Sequence, residues 1–290
     1  MKIVGRAALG IVGLAVLGAG WLFCSAQASA KSYAEDQLRM AKPDEELLGT
    51  RLEVPREGET PVRVNVYIPE SEDALPVVFN LHGDAFIGSN ADLLDTQSDR
   101  IAKNWNAMVV TVQYSLAKDG VTIEDGTREI VDVIRYFRDH AQEYHADPER
   151  FCVLGYSAGG YHAMAAVLAL KPSGIDVAAQ VLCYPYLGDA LETYNTLSQA
   201  QKASIAPALF VFAGRDPIGE GSLPYEEALA ENGVVTAVKR WDEAAHGFLE
   251  ENNPEYERLN NKPSKSPEQE RMAREAEAFI GNWLQTQWGP

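Results

Sequence analysis

Two hydrophobic rhythms divide the chain. Near its start, "RLEVP" and "VRVNVYIP" alternate apolar and polar residues, the period of two expected of half-exposed antiparallel strands. The rhythm then changes. "LPVVFNLHG", "AMVVTVQYSL", "FCVLGYS", "VAAQVLCYP" and "ALFVFAG" are unbroken apolar runs rich in Val, Leu and Phe. Strands covered on both faces read this way, so these runs predict a parallel sheet. "VVTAVKRW" returns to alternation and belongs nearer a sheet edge.

Helical periods lie between the runs. Leu94, Ser98, Ile101 and Trp105 are spaced 4, 3, 4, as are Ile130, Ile134, Phe137 and Ala141, and Met272, Ala276, Phe279 and Trp283. Strand and helix in alternation predict a three-layer α/β domain with right-handed crossovers. Ligands in such a domain bind at the carboxyl ends of the strands. Residues 32–50, polar with scattered leucines, are expected to form a helix or a loose arm before the domain, which runs over 51–290. The polar stretch from Asn252 to Glu270, with three prolines, is expected as a surface loop. The segment from Tyr186 to Pro207 is too short to build a large cap domain.

Composition narrows the class. The chain has 290 residues, 46% of them hydrophobic, which suits one large α/β domain. Lys2 and Arg6 precede an uncharged run of 18 residues, Ala7 to Cys24, followed by the small residues "AQASAK". That order is expected of an export signal over residues 1–30, with cleavage at the Ala-x-Ala pattern and a secreted or extracytoplasmic product. A retained membrane anchor over residues 7–24 is the alternative. Removing the leader takes away two of the 25 basic side chains and none of the 42 acidic ones, so net charge goes from −17 to −19. Such a surface repels phosphate backbones, which argues against nucleic acid as a partner. Contact with a membrane is expected only if the leader is kept. Cys152 and Cys183 lie in apolar strand-like runs and read as buried thiols. A disulfide between them is the alternative in an oxidising compartment. No Cys/His group has the spacing of a zinc site, so no metal is expected.

The chemistry centres on "FCVLGYSAGGYHA" (Phe151 to Ala163). "GYSAG" matches G-x-S-x-G, and it sits between a buried strand and a helical run. In that context Ser157 is a candidate nucleophile on a tight strand-to-helix turn. A serine hydroxyl needs a base to take its proton. Of the five histidines, His246 in "WDEAAHGF" follows the last strand and is placed to reach Ser157. His162 lies on the helix that Ser157 begins and should point away. The acid that orients such a base is expected to be Asp216 in "ALFVFAGRDP", with Asp189 in "YLGDA" as the alternative. Backbone donors for an oxyanion are expected from Ala158 and from the "HGDAF" loop at Gly83, Asp84 and Ala85.

With these motifs in order, the chain resembles the α/β-hydrolase superfamily, near the hormone-sensitive-lipase-like and acetyl or feruloyl esterases. "HGDAF" stands where that branch has His-Gly-Gly-Gly or His-Gly-Gly-Ala followed by an aromatic. "DPERFCVLGYSAGG", "AGRDP" and "AHGF" match its serine, acid and base segments. The resemblance implies a mostly parallel eight-stranded sheet flanked by helices. It also implies hydrolysis of a small-molecule carboxylic ester by Ser157, Asp216 and His246 without a cofactor. Asp84 departs from the branch, which has its second glycine there. The expectation is that its amide serves the oxyanion while its carboxylate turns away or is paired with a cation. A serine peptidase on the same fold, or a non-catalytic binding relative, are the alternative functions.

Overall fold

The computed structural model describes residues 41–256 and 262–289. The leader and most of the expected arm lie outside the described residues. Eight strands form one sheet in the order β1-β2-β4-β3-β5-β6-β7-β8. They are β1 (Thr50–Arg56), β2 (Glu59–Tyr67), β3 (Leu75–Leu81), β4 (Met108–Val112), β5 (Ala146–Tyr156), β6 (Ala179–Cys183), β7 (Ala208–Ala213) and β8 (Thr236–Trp241). β1 pairs antiparallel with β2, and β2 with β4; every other pairing is parallel. The alternating segments thus lie at the antiparallel end and at the far edge, as their period predicts.

The unbroken apolar runs are explained by helices on both faces. α1 (Asp95–Trp105) and the last helix, α8 (Pro267–Trp288), cover one face. α2 (Ile123–Asp139), α3 (Ala158–Leu170) and α7 (Leu223–Glu231) cover the other. β5 shows the alternation directly. Phe151 and Val153 join the core with Ile130, Ile134 and Phe137, whereas Cys152, Leu154 and Tyr156 join the core with Ile101, Met272 and Ala276. Cys152 and Cys183 are free and buried. Ser98, a polar member of the α1 stripe, is satisfied inside the core by Asn80 at 3.1 Å and Thr111 at 2.8 Å. Among the described residues, no helix is long and apolar enough to cross a membrane.

Two segments differ from the sequence expectation. The end of the arm is strapped to the domain by buried charge. Fully buried Asp95 takes Lys42 at 2.7 Å and the Tyr67 hydroxyl at 2.9 Å. Fully buried Asp92 takes Arg51 at 3.0 Å and Asn65 at 2.8 Å. The described residues of the stretch from Asn252 to Glu270 are also no plain surface loop. Asn253, Tyr256 and Ser264 are buried, and α8 begins at Pro267. Prolines and polar residues marked a loop, but single buried anchors spaced along it carry no periodic signal.

The strap makes a prediction. Asp92→Ala leaves the Arg51 guanidinium, only 15% exposed, without its main partner. Loss of one partner from a buried pair costs about 3–5 kcal/mol. Urea denaturation should show a loss of that size, and a loss below about 1 kcal/mol would rule out a structural role for the pair.

Candidate active site

The end of β5 drives the site's geometry. Gly155 is the second-last residue of β5 and Gly159 the second of α3, and the chain folds back so tightly that their backbones touch. A methyl on Gly155 would overlap the Gly159 carbonyl, and one on Gly159 would overlap the carbonyls of Leu81 and His82 at the end of β3. Ser157, between them, takes φ 51° and ψ −113°. A non-glycine residue in that region is strained, at a cost of order 1–3 kcal/mol. Bonds on both sides hold it: its N–H donates to the Cys183 carbonyl at 2.9 Å, and its carbonyl accepts from Tyr186 N at 3.1 Å. The hydroxyl is thereby raised above the carboxyl ends of β3, β5 and β6.

His246 arrives from the loop after β8. Its Nε2 lies 2.8 Å from Ser157 Oγ, and its Nδ1 lies 2.6 Å from Asp216 Oδ2. A carboxylate only accepts, so Nδ1 carries the proton toward Asp216 and Nε2 is left to accept from the serine. Asp216 follows β7 and caps the short helix α6 (Pro217–Glu220), accepting from Ile218 N at 2.8 Å and Gly219 N at 3.2 Å. Burial alone would raise its pKa, but the His246 bond and these two amides hold it below the ordinary carboxylate value. Burial likewise pulls the imidazole down, and the Asp216 carboxylate, followed by the charges of Glu250 and Glu251, more than offsets that, leaving the His246 pKa raised. The pair favours a charged imidazolium beside a charged carboxylate, the state formed when the base takes the serine proton.

The structure therefore brings Ser157, His246 and Asp216 together. It does not bring Asp189 to the imidazole: that carboxylate takes the Tyr161 hydroxyl at 2.6 Å. His162 turns away to Thr127, at 2.9 Å from Nδ1. His140 and His145 bond the carbonyls of Tyr136 and Glu72 instead.

The oxyanion candidates lie on the loop after β3 and at the start of α3. Asp84, Ala85 and Phe86 all have positive φ, at 77°, 54° and 66°. The loop thus follows a path that glycine adopts freely, and carries three side chains along it. Its shape is held by bonds from Ile87 N and Gly88 N to the Asp84 carbonyl, and from Ala117 N to the Phe86 carbonyl at 2.7 Å. Beneath it His82 stacks on Tyr114 at 4.2 Å, and the Tyr114 hydroxyl donates to the His82 carbonyl at 2.6 Å. Burial drives the His82 pKa down to about 4, so this brace is a neutral ring. Ala158 is the first residue of α3, where a backbone N–H has no acceptor within the helix.

Two groups beside the triad escaped the sequence reading. Tyr184, just past β6, lies with its ring centroid 5.0 Å from that of His246. Glu250, four residues after His246 in "HGFLEE", is buried and accepts the Tyr184 hydroxyl. Nothing in the sequence singles out Glu250, and only the fold shows its approach to His246 through Tyr184. Among the described residues, no three His, Cys, Asp or Glu side chains are grouped as metal ligands would be.

The sequence and fold are similar to those of known proteins. The sequence profile of a family described as alpha/beta hydrolase fold matches residues 78–204. The chain is 34% identical over 260 residues to the carboxylesterase NlhH of Mycobacterium tuberculosis, covering 74% of this chain and 81% of that protein. It is 26% identical to the esterase LipI of the same organism, covering 65% of this chain and 71% of that one. A thermostable carboxylesterase from a metagenomic library has a solved structure that superposes with a TM-score of 0.69 at 21% identity, covering 91% of this chain and 98% of that one. That last likeness speaks to the fold alone. The chain belongs to the α/β-hydrolase superfamily, among its carboxylic-ester hydrolases.

The acid assignment is open to a direct test. Asp216→Asn keeps the shape but turns Nδ1 from donor to acceptor, favouring the wrong tautomer, and should lower kcat on a simple ester by on the order of 10⁴. Asp189→Asn should leave it nearly unchanged. Steady-state kinetics of the two variants decide, and the reverse ranking would move the role to Asp189.

Proposed function

We propose that this protein is a serine esterase acting on small acyl or carbohydrate-linked esters, with Ser157 as nucleophile, His246 as base and Asp216 as its orienting acid. The observation that carries the reading is the unbroken relay of 2.6 Å and 2.8 Å from Asp216 through His246 to Ser157. In the first step His246 Nε2 takes the hydroxyl proton as Ser157 Oγ bonds to the ester carbonyl carbon. The carbonyl oxygen becomes an oxyanion facing the amides of Gly83, Asp84, Ala85 and Ala158. As the tetrahedral intermediate collapses, His246 gives its proton to the leaving alcohol and an acyl-Ser157 remains. Water, deprotonated by the same imidazole, then releases the acid and restores the serine.

Two features support small or ring-bearing substrates over long-chain lipids. Over the site, the segment between β6 and β7 contains only the short helices α4 (Ala190–Asn195) and α5 (Gln199–Ala203). Beside the serine, the rings of Phe86, Tyr161 and Tyr186 meet edge to face or tilted at 5.4–6.5 Å, and Tyr186 is 49% exposed. Such a wall suits the face of an aromatic acyl group or a sugar.

Hydrolysis of p-nitrophenyl esters of increasing chain length, set against peptide anilides and acetylated or feruloylated sugars, tests the proposal. We expect turnover of short and sugar-linked esters, abolished in Ser157→Ala by a factor on the order of 10⁵ or more. Preference for the anilides would make the protein a peptidase. Absence of turnover across the whole panel would favour a binding role.

A further inference from the structure

The relay leaves one buried acid beside it unused. Glu250 is 5% exposed, and among the described residues its one side-chain partner is Tyr184, whose hydroxyl donates to Oε2. The adjacent Glu251, by contrast, is bonded to Lys262 and Ser264. The second oxygen of Glu250 faces the oxyanion loop. A methyl built on Gly83 would lie 3.3 Å from Oε1 and 3.4 Å from Ser157 Cβ, so the carboxyl and the nucleophile flank the same glycine. Tyr184 completes the arrangement. It sits just past β6 at φ 37°, packs its ring against His246, and holds its hydroxyl between Glu250 and the Leu249 amide at 3.3 Å.

We propose that Glu250 and Tyr184 form a positioning unit for the hydrolytic centre, in which Tyr184 braces His246 from behind and the charge on Glu250 sets the proton affinity of that base. The inference rests on the serine-esterase reading above. Glu250 touches neither substrate nor serine oxygen in this arrangement, and acts through the imidazole.

The surroundings leave few competing charges. Tyr156 faces the carboxyl from the end of β5, Cys183 and Tyr184 from the end of β6, and Tyr256 from the turn before α8. Burial pushes all four pKa values well up, so they stay protonated and neutral. Asp84 lies beyond Tyr256, and His246 and Glu251 share the loop of Glu250. Burial first, and then the Glu251 charge, push Glu250 up to about 7, against the Tyr184 bond, its own amide and the His246 charge. Its proton therefore leaves in the range where His246 must be neutral to act. An ionised Glu250 raises the His246 pKa, and a protonated His246 favours ionised Glu250, so the two titrate as a coupled pair.

The sign follows from that coupling. Removing the charge lowers the affinity of His246 for its proton, so the base becomes active at lower pH. The test is the pH dependence of kcat/KM on p-nitrophenyl acetate for the parent, Glu250→Gln, Tyr184→Phe, their double variant and Ser157→Ala, with melting curves to verify folding. Glu250→Gln should move the acid limb down by about half a pH unit or more. Tyr184→Phe keeps the ring but removes the bond that favours ionised Glu250, so it should move the limb the same way. The double variant should go no further than Glu250→Gln. A purely structural role would lower activity at every pH and leave the limb in place. If Glu250→Gln does not fold, Tyr184→Phe decides alone. Folded variants with an unmoved or raised limb, while Ser157→Ala is inactive, would overturn this inference and spare the esterase reading. Full activity in Ser157→Ala would overturn the esterase reading itself.

Discussion

Everything at this site depends on one close approach of backbones. β3, β5 and α3 meet where Gly155 and Gly159 leave no room for a side chain, and the turn between them forces Ser157 into a left-handed conformation. The strain is held by two of the serine's own backbone bonds, to Cys183 and Tyr186, and by the buried sheet behind them. Without that sheet the turn would relax and the hydroxyl would drop back among its neighbours. The parallel order of the central strands matters for the same reason. It delivers the elbow, the Asp216 loop, the oxyanion loop and Tyr184 to one edge.

Electrostatics at this edge rest on a few deliberate charges among many neutral groups. The protein is strongly acidic, yet around the serine the histidines at 82 and 162 are neutral through burial. The buried tyrosines and thiols stay protonated as well. The Asp216 carboxylate, held by two amides and the imidazole, is then the charge that His246 feels most. Low-dielectric surroundings make such a charge count for more than it would in water.

Much of this was legible in the sequence. The unbroken runs gave away strands covered on both sides, and the alternating segments fell at the sheet's two ends as their period required. Ser157, Asp216 and His246 stood out because each lies in the segment after a strand run, and in the structure the three are hydrogen-bonded in series. What stayed hidden has a common cause. Asp92 and Asp95 look like surface acids until Lys42 and Arg51, far off in sequence, are seen to cover them. Tyr256 sits in a polar, proline-rich stretch and is nonetheless buried. Glu250 reads as one of two acids after a histidine, and its place beside Gly83 depends on the loop's path and on Tyr184. Single buried polar residues have no period, so only the fold reveals them. The positive φ at Asp84, Ala85 and Phe86 was equally unreadable, because none of those residues is glycine.

The central claim is that the fold makes the Ser157 hydroxyl, and no other, a nucleophile. Reaction of the folded protein with a fluorophosphonate, read by intact mass and peptide mapping, tests this most directly. The account predicts one adduct, located on Ser157, that forms far more slowly in His246→Ala. An adduct on another residue, or a rate unaffected by loss of His246, would contradict it.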